Sequence, residues 1–441
     1  MRSTKTKRFM LIGASFLTLI AIFAATFFIG NFSTHAAAGP LKPYQQGLET
    51  LSKANPEFDG LNTPAKNGMH QPFGTCLPGL DSIPNFCGQF TVPGFDNNGN
   101  PRNVWEWNMV GNAPQSSGPG TTTFNAPIIP VAVQGLNPDG SVAFTYDPTQ
   151  FVKPELQSPV FSDTKFTSSD KPTQYTDAIQ RAEFFNQAKS NWHTMLNPQV
   201  KPELTMKLPA GSYVAFANSD GTCCLAVLVD INVFQDLLFP PTFPVDNTTV
   251  IGAAELAGEM TTQDISTLLF PNTYLFFNGD PNQCCVLGFH SFDFEPGVPS
   301  NGNRPRAYVF NYSSWISPGL FNGGFQDVTA LSHEMAETFN DPFVQGFNDL
   351  DLTPWWLSGG VNGLCQNNLE VGDVVEVLDN AVFPITMKNG FTYHPQNEAL
   401  LQWFESNGTS DALHHAFSYP DETVLTTSNI SQNFNCSPPI V

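Results

Sequence analysis

The sequence predicts an α+β fold in which a mixed sheet packs on one helix carrying the candidate site, with many loops and several disulfides. Three observations lead there. Short apolar or alternating segments recur between Pro- and Gly-rich breaks, without a regular strand–helix–strand alternation. The 39 Phe, 37 Pro, 34 Gly and 41% hydrophobic content describe an aromatic core wrapped in turns rather than a disordered chain. One segment, 327–342, reads as a helix with an apolar side and a side of one imidazole and three carboxylates.

The chain opens with Arg2, Lys5, Lys7, Arg8 and no acid, followed by an almost unbroken apolar run over 9–30. Thr34-His-Ala36 and Ala36-Ala-Ala38 then supply small-residue cleavage patterns. Residues 1–38 therefore read as a secretory signal peptide. Because the run is long, an uncleaved N-terminal membrane anchor is the alternative. No later stretch is long and apolar enough to span a membrane. Losing 1–38 removes four of the 18 basic residues and none of the 39 acids, which moves the net charge from −21 to −25. That charge argues against nucleic acid as a partner, since phosphates demand Lys and Arg, and it favours solubility outside the cell.

Residues 39–120 read as an irregular N-terminal extension, of which 39–100, rich in Pro, Gly and Asn, looks like a leader or short propeptide-like stretch and 104–110 like a first strand; 121–441 form the main domain. A strand is expected at 128–133 and a helix at 175–188, with Ala178, Ile179, Ala182 and Phe185 on its buried stripe. Strands at 213–217 and 224–229 flank a Ser219-Asp-Gly221 turn. Residues 253–270 have helical character, and 273–277, 286–292 and 307–312 read as three further strands. The site helix follows, then a strand at 391–396 and a short element at 400–404. No repeat of fixed period is present.

The eight cysteines should be oxidised after export. Cys76 and Cys87 flank a Pro/Gly-rich loop and form the best local pair; Cys365 and Cys436 would tie down the C-terminal tail. Cys223-Cys224 and Cys284-Cys285 are vicinal pairs. Neighbours on a strand point to opposite faces, which predicts two bridges per pair rather than one closed ring. Zinc binding by these residues is the weaker reading, because the C-x-x-C spacing is absent.

On the helix over 327–341, Val328, Leu331, Met335 and Phe339 fall on one side; His333, Glu334, Glu337 and Asp341 fall on the other. Asp327 is the expected N-cap and Pro342 the stop. His333-Glu334-x-x-Glu337 differs by one letter from the H-E-x-x-H of zinc-protease helices. His333 and Glu337 lie one turn apart, so both can ligate a single Zn²⁺, while Glu334 stands beside it to take a proton from bound water. Glu370 is the first choice for a third ligand, or for a carboxylate orienting His333, with Asp373 and Asp341 behind it. Tyr393 or His394 could stabilise an oxyanion. Trp355 and Trp356, in the loop-like 346–368, offer a substrate platform or simply cover a core edge. The residues thus suggest a zinc peptidase acting on a peptide or a cell-wall or other extracellular substrate. Two rivals remain. One is a structural Ca²⁺ site of Glu337, Asp341, Glu370 and Asp373. The other is a non-catalytic cell-surface or carbohydrate-binding protein working through its Trp- and Phe-rich loops. His333 discriminates, since zinc wants an imidazole and calcium does not.

Several stretches occur in a recognisable order: Tyr-Leu-Phe-Phe at 274–277, Cys284-Cys-Val-Leu-Gly-Phe-His290-Ser, Tyr308-Val-Phe-Asn-Tyr, Ser332-His-Glu-Met-Ala-Glu-Thr-Phe-Asn-Asp-Pro342 and Glu370-Val-Gly-Asp373. In this the chain resembles the bacterial secreted proteins related to the plant Exordium/phosphate-induced proteins, well over about a hundred residues and loosely over perhaps three times that span. The resemblance implies a zincin-like fold and an extracellular location. It implies no particular activity, since the plant members lack the His-Glu pair that this chain keeps. Val374 stands where bacterial relatives often carry a nearby Cys, which leaves the partner of Cys365 open.

Overall fold

A 16-residue strand, β3 (Thr121–Leu136), is the spine of the molecule. From Phe124 on, nearly every residue is buried whichever face it points to, so the strand reads as a continuous apolar run rather than an alternating one. The computed structural model describes residues 41–54, 56, 77–95, 101–114, 120–168, 171–240, 245–344, 369–406 and 408–428. The N-terminal half of β3 pairs in parallel with β5 (His193–Val200), and its middle with β9 (Ile265–Pro271). Its C-terminal half pairs with β6 (Leu204–Leu208) and with β4 (Val142–Tyr146), the latter antiparallel. The sheet continues from β9 to β13 (Arg306–Trp315), parallel, and ends on β12 (Gly288–Glu295), antiparallel. A second sheet runs in the order β11 (Cys284–Val286), β10 (Thr273–Phe276), β8 (Cys223–Asp230), β7 (Tyr213–Ala217). Parallel and antiparallel pairs mix with few helices, so the architecture is α+β, as expected.

The site helix, α6 (Thr329–Asn340), packs on β12 and β13 at one end of the large sheet. Its other neighbours are β2 (Pro101–Val110) and α3 (Tyr175–Glu183). Leu331, Met335 and Phe339 enter the main core with Phe289, Phe310 and Tyr312. The expected polar face is not solvated: all twelve helical residues are buried. Elements on both sides enclose the helix, so its His and Glu side chains face protein.

Several expectations change. The extension at 39–120 is not irregular throughout, since it holds α1 (Tyr44–Leu51) and a hairpin of β1 (Asn85–Phe95) with β2. Trp105 and Met109 on β2 are fully buried, so this hairpin contributes to the core. Only the start of 253–270 is helical: α5 (Val250–Ala257) stops at Gly258, which takes the left-handed conformation that glycine adopts without strain. Residues 265–270 are the central strand β9; Ile, Leu and Phe there fit a buried strand as well as a helix, and only length and the intervening turn tell them apart. The helix expected to reach 188 ends at Glu183, and Phe185 is exposed rather than buried. The strand expected over 391–396 is only β15 (Thr392–Tyr393). The short element at 400–404 is α7 (Leu401–Phe404).

Cys223 is bonded to Cys224 and Cys284 to Cys285, which corrects the expected two bridges per pair. Cys224, Cys284 and Cys285 are buried, and the second pair belongs to a satellite core with Phe216, Tyr274 and Ile316. Cys87 is also oxidised. Cys76, Cys365, Cys436, Trp355, Trp356 and the signal-like residues 1–38 lie outside the described residues. Among the described residues, no helix is long and apolar enough to cross a membrane.

Candidate metal centre

Three pieces of chain converge on one buried cluster. Helix α6 delivers His333, Glu334 and Glu337 at the spacing its turn dictates. Strand β12 delivers His290, and the turn at 370–373 delivers Glu370 and Asp373. All six side chains are at most 1% exposed. His333 Nε2 lies 3.0 Å from Glu337 Oε2 and 3.4 Å from Asp373 Oδ1. His290 Nδ1 lies 3.5 Å from Glu337 Oε2, 3.6 Å from Glu334 Oε2 and 3.7 Å from Glu370 Oε2. Around a tetrahedral ion with bonds of about 2.1 Å, neighbouring donors stand ~3.4 Å apart. Apart from the 3.0 Å contact of His333 with Glu337, which is of hydrogen-bond length, these separations are long for hydrogen bonds and close to the edges of such a tetrahedron.

The chain also decides which nitrogen each imidazole presents. His290 Nε2 lies 3.1 Å from the Asp341 carbonyl, which can only accept, so Nε2 carries the proton and the Nδ1 lone pair faces the carboxylates. His333 Nδ1 lies 3.2 Å from Gln396 Oε1. Gln396 is itself fixed, its Nε2 donating to the Gly372 carbonyl at 2.7 Å and its backbone N–H to Ser332 Oγ at 3.0 Å. That leaves His333 Nε2 pointing at Glu337. Metal-binding histidines are held in this way, through the ring nitrogen that does not ligate. Glu337 is divided similarly: Oε1 accepts from the N–H groups of Gly372 and Asp373 at 3.0 and 3.3 Å, and Oε2 faces both imidazoles.

Two glycines make room. A Cβ at position 372 would come 2.4 Å from His333 Nδ1, and one at 288 would come 2.6 Å from Glu334 Oε1. Either contact would force the ligand side chain to move.

Electrostatics follow from burial and proximity. Burial pushes both imidazoles down, but the carboxylates outweigh it and raise both well above the usual histidine range, Glu370 leading at His290 and Glu337 at His333. Burial pushes Glu334 up to about 7, with His290 and His333 pulling it back. Glu337 sits below the ordinary carboxylate range, because the two imidazoles overcome its burial. Burial and the charge on Glu337 raise Glu370 well above that range. His290 Nδ1, both Glu334 oxygens and Glu337 Oε2 have no hydrogen-bond partner among the described residues. Buried polar atoms are rarely left so, and buried imidazole and carboxylate groups gathered within reach of one another mark a place for a cation.

The remaining sequence candidates lie elsewhere. Asp341 is not turned to the cluster as a ligand: Oδ2 accepts from Leu369 N–H, and its carbonyl braces His290. Tyr393 donates its hydroxyl to the Pro154 carbonyl and accepts from Asn389 Nδ2, so its proton is not directed at the cluster. His394 pairs with Asp327 at 2.7 Å, and this pair anchors the start of α6. Asp327 is consequently not the N-cap; it precedes the cap position, held by Val328, and accepts from the N–H groups of Val328 and His394. The sequence reading missed His290 as a member of the cluster, Gln396 as the partner of His333 Nδ1, and both glycines. His290 had a faint signal, a lone imidazole in the aromatic strand Gly-Phe-His-Ser-Phe. Gln396 had none.

No family model, curated protein or solved structure matches the chain.

Proposed function

We propose that this chain is a secreted, zincin-like, metal-dependent hydrolase of the metallopeptidase kind, with Zn²⁺ at the centre of the cluster. The observation that carries the reading is the orientation of the imidazoles: each is tethered through one nitrogen so that the other faces buried carboxylate oxygens. Without a cation, that arrangement must take up protons instead. Two nitrogens among carboxylates favour a zinc-like ion over calcium, whose ligands are oxygens. His333 and Glu337 would hold the ion, with Asp373 or Glu370 completing the set. A bound zinc ion supplies a polarising Lewis acid and lowers the pKa of a ligated water. Glu334, raised to about 7, has the proton affinity of a general base near neutral pH. Gln396 and Gly372 position His333. The likeness of 273–373 to Exordium-related secreted proteins supports the zincin-like fold and the extracellular setting.

Burial favours a second reading. Ligands at most 1% exposed also suit a metal that only holds the scaffold together, as in a non-catalytic surface protein. The test is metal analysis of the exported protein, with and without chelator treatment, followed by assay of the loaded form on a broad peptide library. Chelator-removable zinc together with peptide cleavage is the expected result. Absence of metal overturns the proposal; metal without cleavage leaves the scaffold reading in its place.

A further inference from the structure

We propose that the centre is built for two divalent ions bridged by the Glu337 carboxylate, the second held by His290 and Glu370. This rests on the metal reading above and extends it to stoichiometry and to residues the His-Glu-x-x-Glu motif does not contain.

The donors gather into two triads. His290, Glu337 and Glu370 bring their ligand atoms within 4.8 Å of one another, as do His333, Glu334 and Glu337, and Glu337 belongs to both. Five donors serving one ion with bonds of about 2.1 Å would all lie within ~4.2 Å of each other, as a single set. Two overlapping sets joined at one carboxylate instead describe neighbouring ions with a shared ligand, the arrangement of two-metal hydrolytic sites. Glu337 suits the bridge. Its Oε1 is occupied by two backbone N–H groups, which aims Oε2 at His333 from one side and at His290 from the other.

Charge leads to the same conclusion. With both imidazoles neutral and the acids ionised, as ligation requires, Glu334, Glu337, Glu370 and Asp373 bring four negative charges into a site at most 1% exposed. One dication leaves two uncompensated charges in a low-dielectric interior, whereas two dications balance the set. Glu334 borders both triads, 3.6 Å from His290 Nδ1 and within the His333 set, so it faces any water shared between the ions.

The test is stoichiometry. Metal-free full-length exported protein is titrated with Zn²⁺ and, separately, with Co²⁺ followed by visible absorption; bound metal is counted after gel filtration. The expected result is two equivalents for wild type and one for His290→Ala, with His333→Ala also losing one. A single equivalent in wild type overturns the two-ion centre and leaves the hydrolase proposal standing, while no bound metal overturns both. Two equivalents retained by His290→Ala overturn the placement. Should that variant fail to fold, the wild-type Co²⁺ titration decides alone: saturation at two equivalents supports the pair, and saturation at one refutes it.

Discussion

Gln396→Leu separates metal binding from folding in a way that removing a ligand does not. Leucine nearly matches glutamine in volume but offers His333 Nδ1 no acceptor and the Gly372 carbonyl no donor, the two partners Gln396 holds at 3.2 and 2.7 Å. Both contacts are buried, so each abandoned group costs about 1–3 kcal/mol, partly offset by the added apolar side chain. The metal-free protein should therefore lose about 2–4 kcal/mol in urea denaturation. Zinc affinity should fall by about 10- to 100-fold, or ~1.4–2.7 kcal/mol, because His333 can now rotate or present the wrong tautomer. Competition against a chromophoric chelator reads the second quantity directly. Gln396→Glu supplies an acceptor for His333 Nδ1 but no donor to Gly372, so it should recover most of the affinity and little of the stability. If Gln396→Leu destabilises the chain while zinc affinity stays within about twofold of wild type, Gln396 does not orient a ligand and His333 is not held for metal.

Further tests address the chemistry, the core and the cysteines. Glu334→Gln should keep its metal and lose about 10²- to 10⁴-fold in peptide hydrolysis, since an amide cannot accept the proton; unchanged turnover removes Glu334 as base. Glu183 is buried, accepts from Leu401 N–H at 3.0 Å, and is pushed up to about 8 by burial, against an ordinary value of 4.5. A folded-state pKa above the unfolded one means the native state binds the proton more tightly, so this contribution is fully present below about pH 4.5 and is lost as pH rises through about 8. Thermal denaturation should therefore show Glu183→Gln gaining on wild type as pH rises across that window, and a constant difference between the two would contradict the burial argument. All five described cysteines are oxidised, and Cys87 needs a cysteine partner from outside them, so denatured, unreduced protein should titrate at most about two free thiols of eight. Eight reactive thiols would rule out both the bonds and the export reading.

How much the sequence revealed depended on the range of the interaction involved. The helix, its apolar stripe of Leu331, Met335 and Phe339, and the one-turn spacing of His333 and Glu337 follow from periodicity within a single element, and all appear in the structure. Glu370 and Asp373 could be nominated as acids in a turn after the helix, where such acids equally serve the backbone alone, and both reach the cluster. His290 could not be found this way. It reaches the site through the register of β12 on β13, which pairs it with Asn311 and seats it under α6, a fact of sheet assembly that no local pattern encodes. Gln396 is a stronger case: a neutral side chain 63 residues from the histidine it orients carries no compositional mark. The failures at 253–270 and at Phe185 have another origin. At 265–270 apolar residues in a fully buried segment fit helix and strand alike, and the stop at Gly258 decided between them; at Phe185 the helix had already ended at Glu183, which leaves the ring in an exposed turn.

These two kinds of legibility bear on what the centre does. A motif confined to one helix supplies one imidazole and two carboxylates, a set that would suit a single ion with outside help. The structure brings that set against a second imidazole and further acids from a strand and a turn, with the backbone N–H groups of Gly372 and Asp373 fixing the shared Glu337 between them. Neither half is self-sufficient. His333 depends on Gln396 and on the absence of a side chain at Gly372; His290 depends on the Asp341 carbonyl at the end of the same helix. The end of α6 thus orients one histidine while its middle contributes the other. Any shift of that helix along the sheet would disturb both imidazoles together, so occupancy of the centre and the packing of α6 should rise and fall as one equilibrium. Hydrogen exchange gives the check. Adding zinc to the metal-free chain should slow exchange across 329–340 and at Gly372 and Asp373 together, and protection confined to one of the two segments would mean that the halves of the site bind independently.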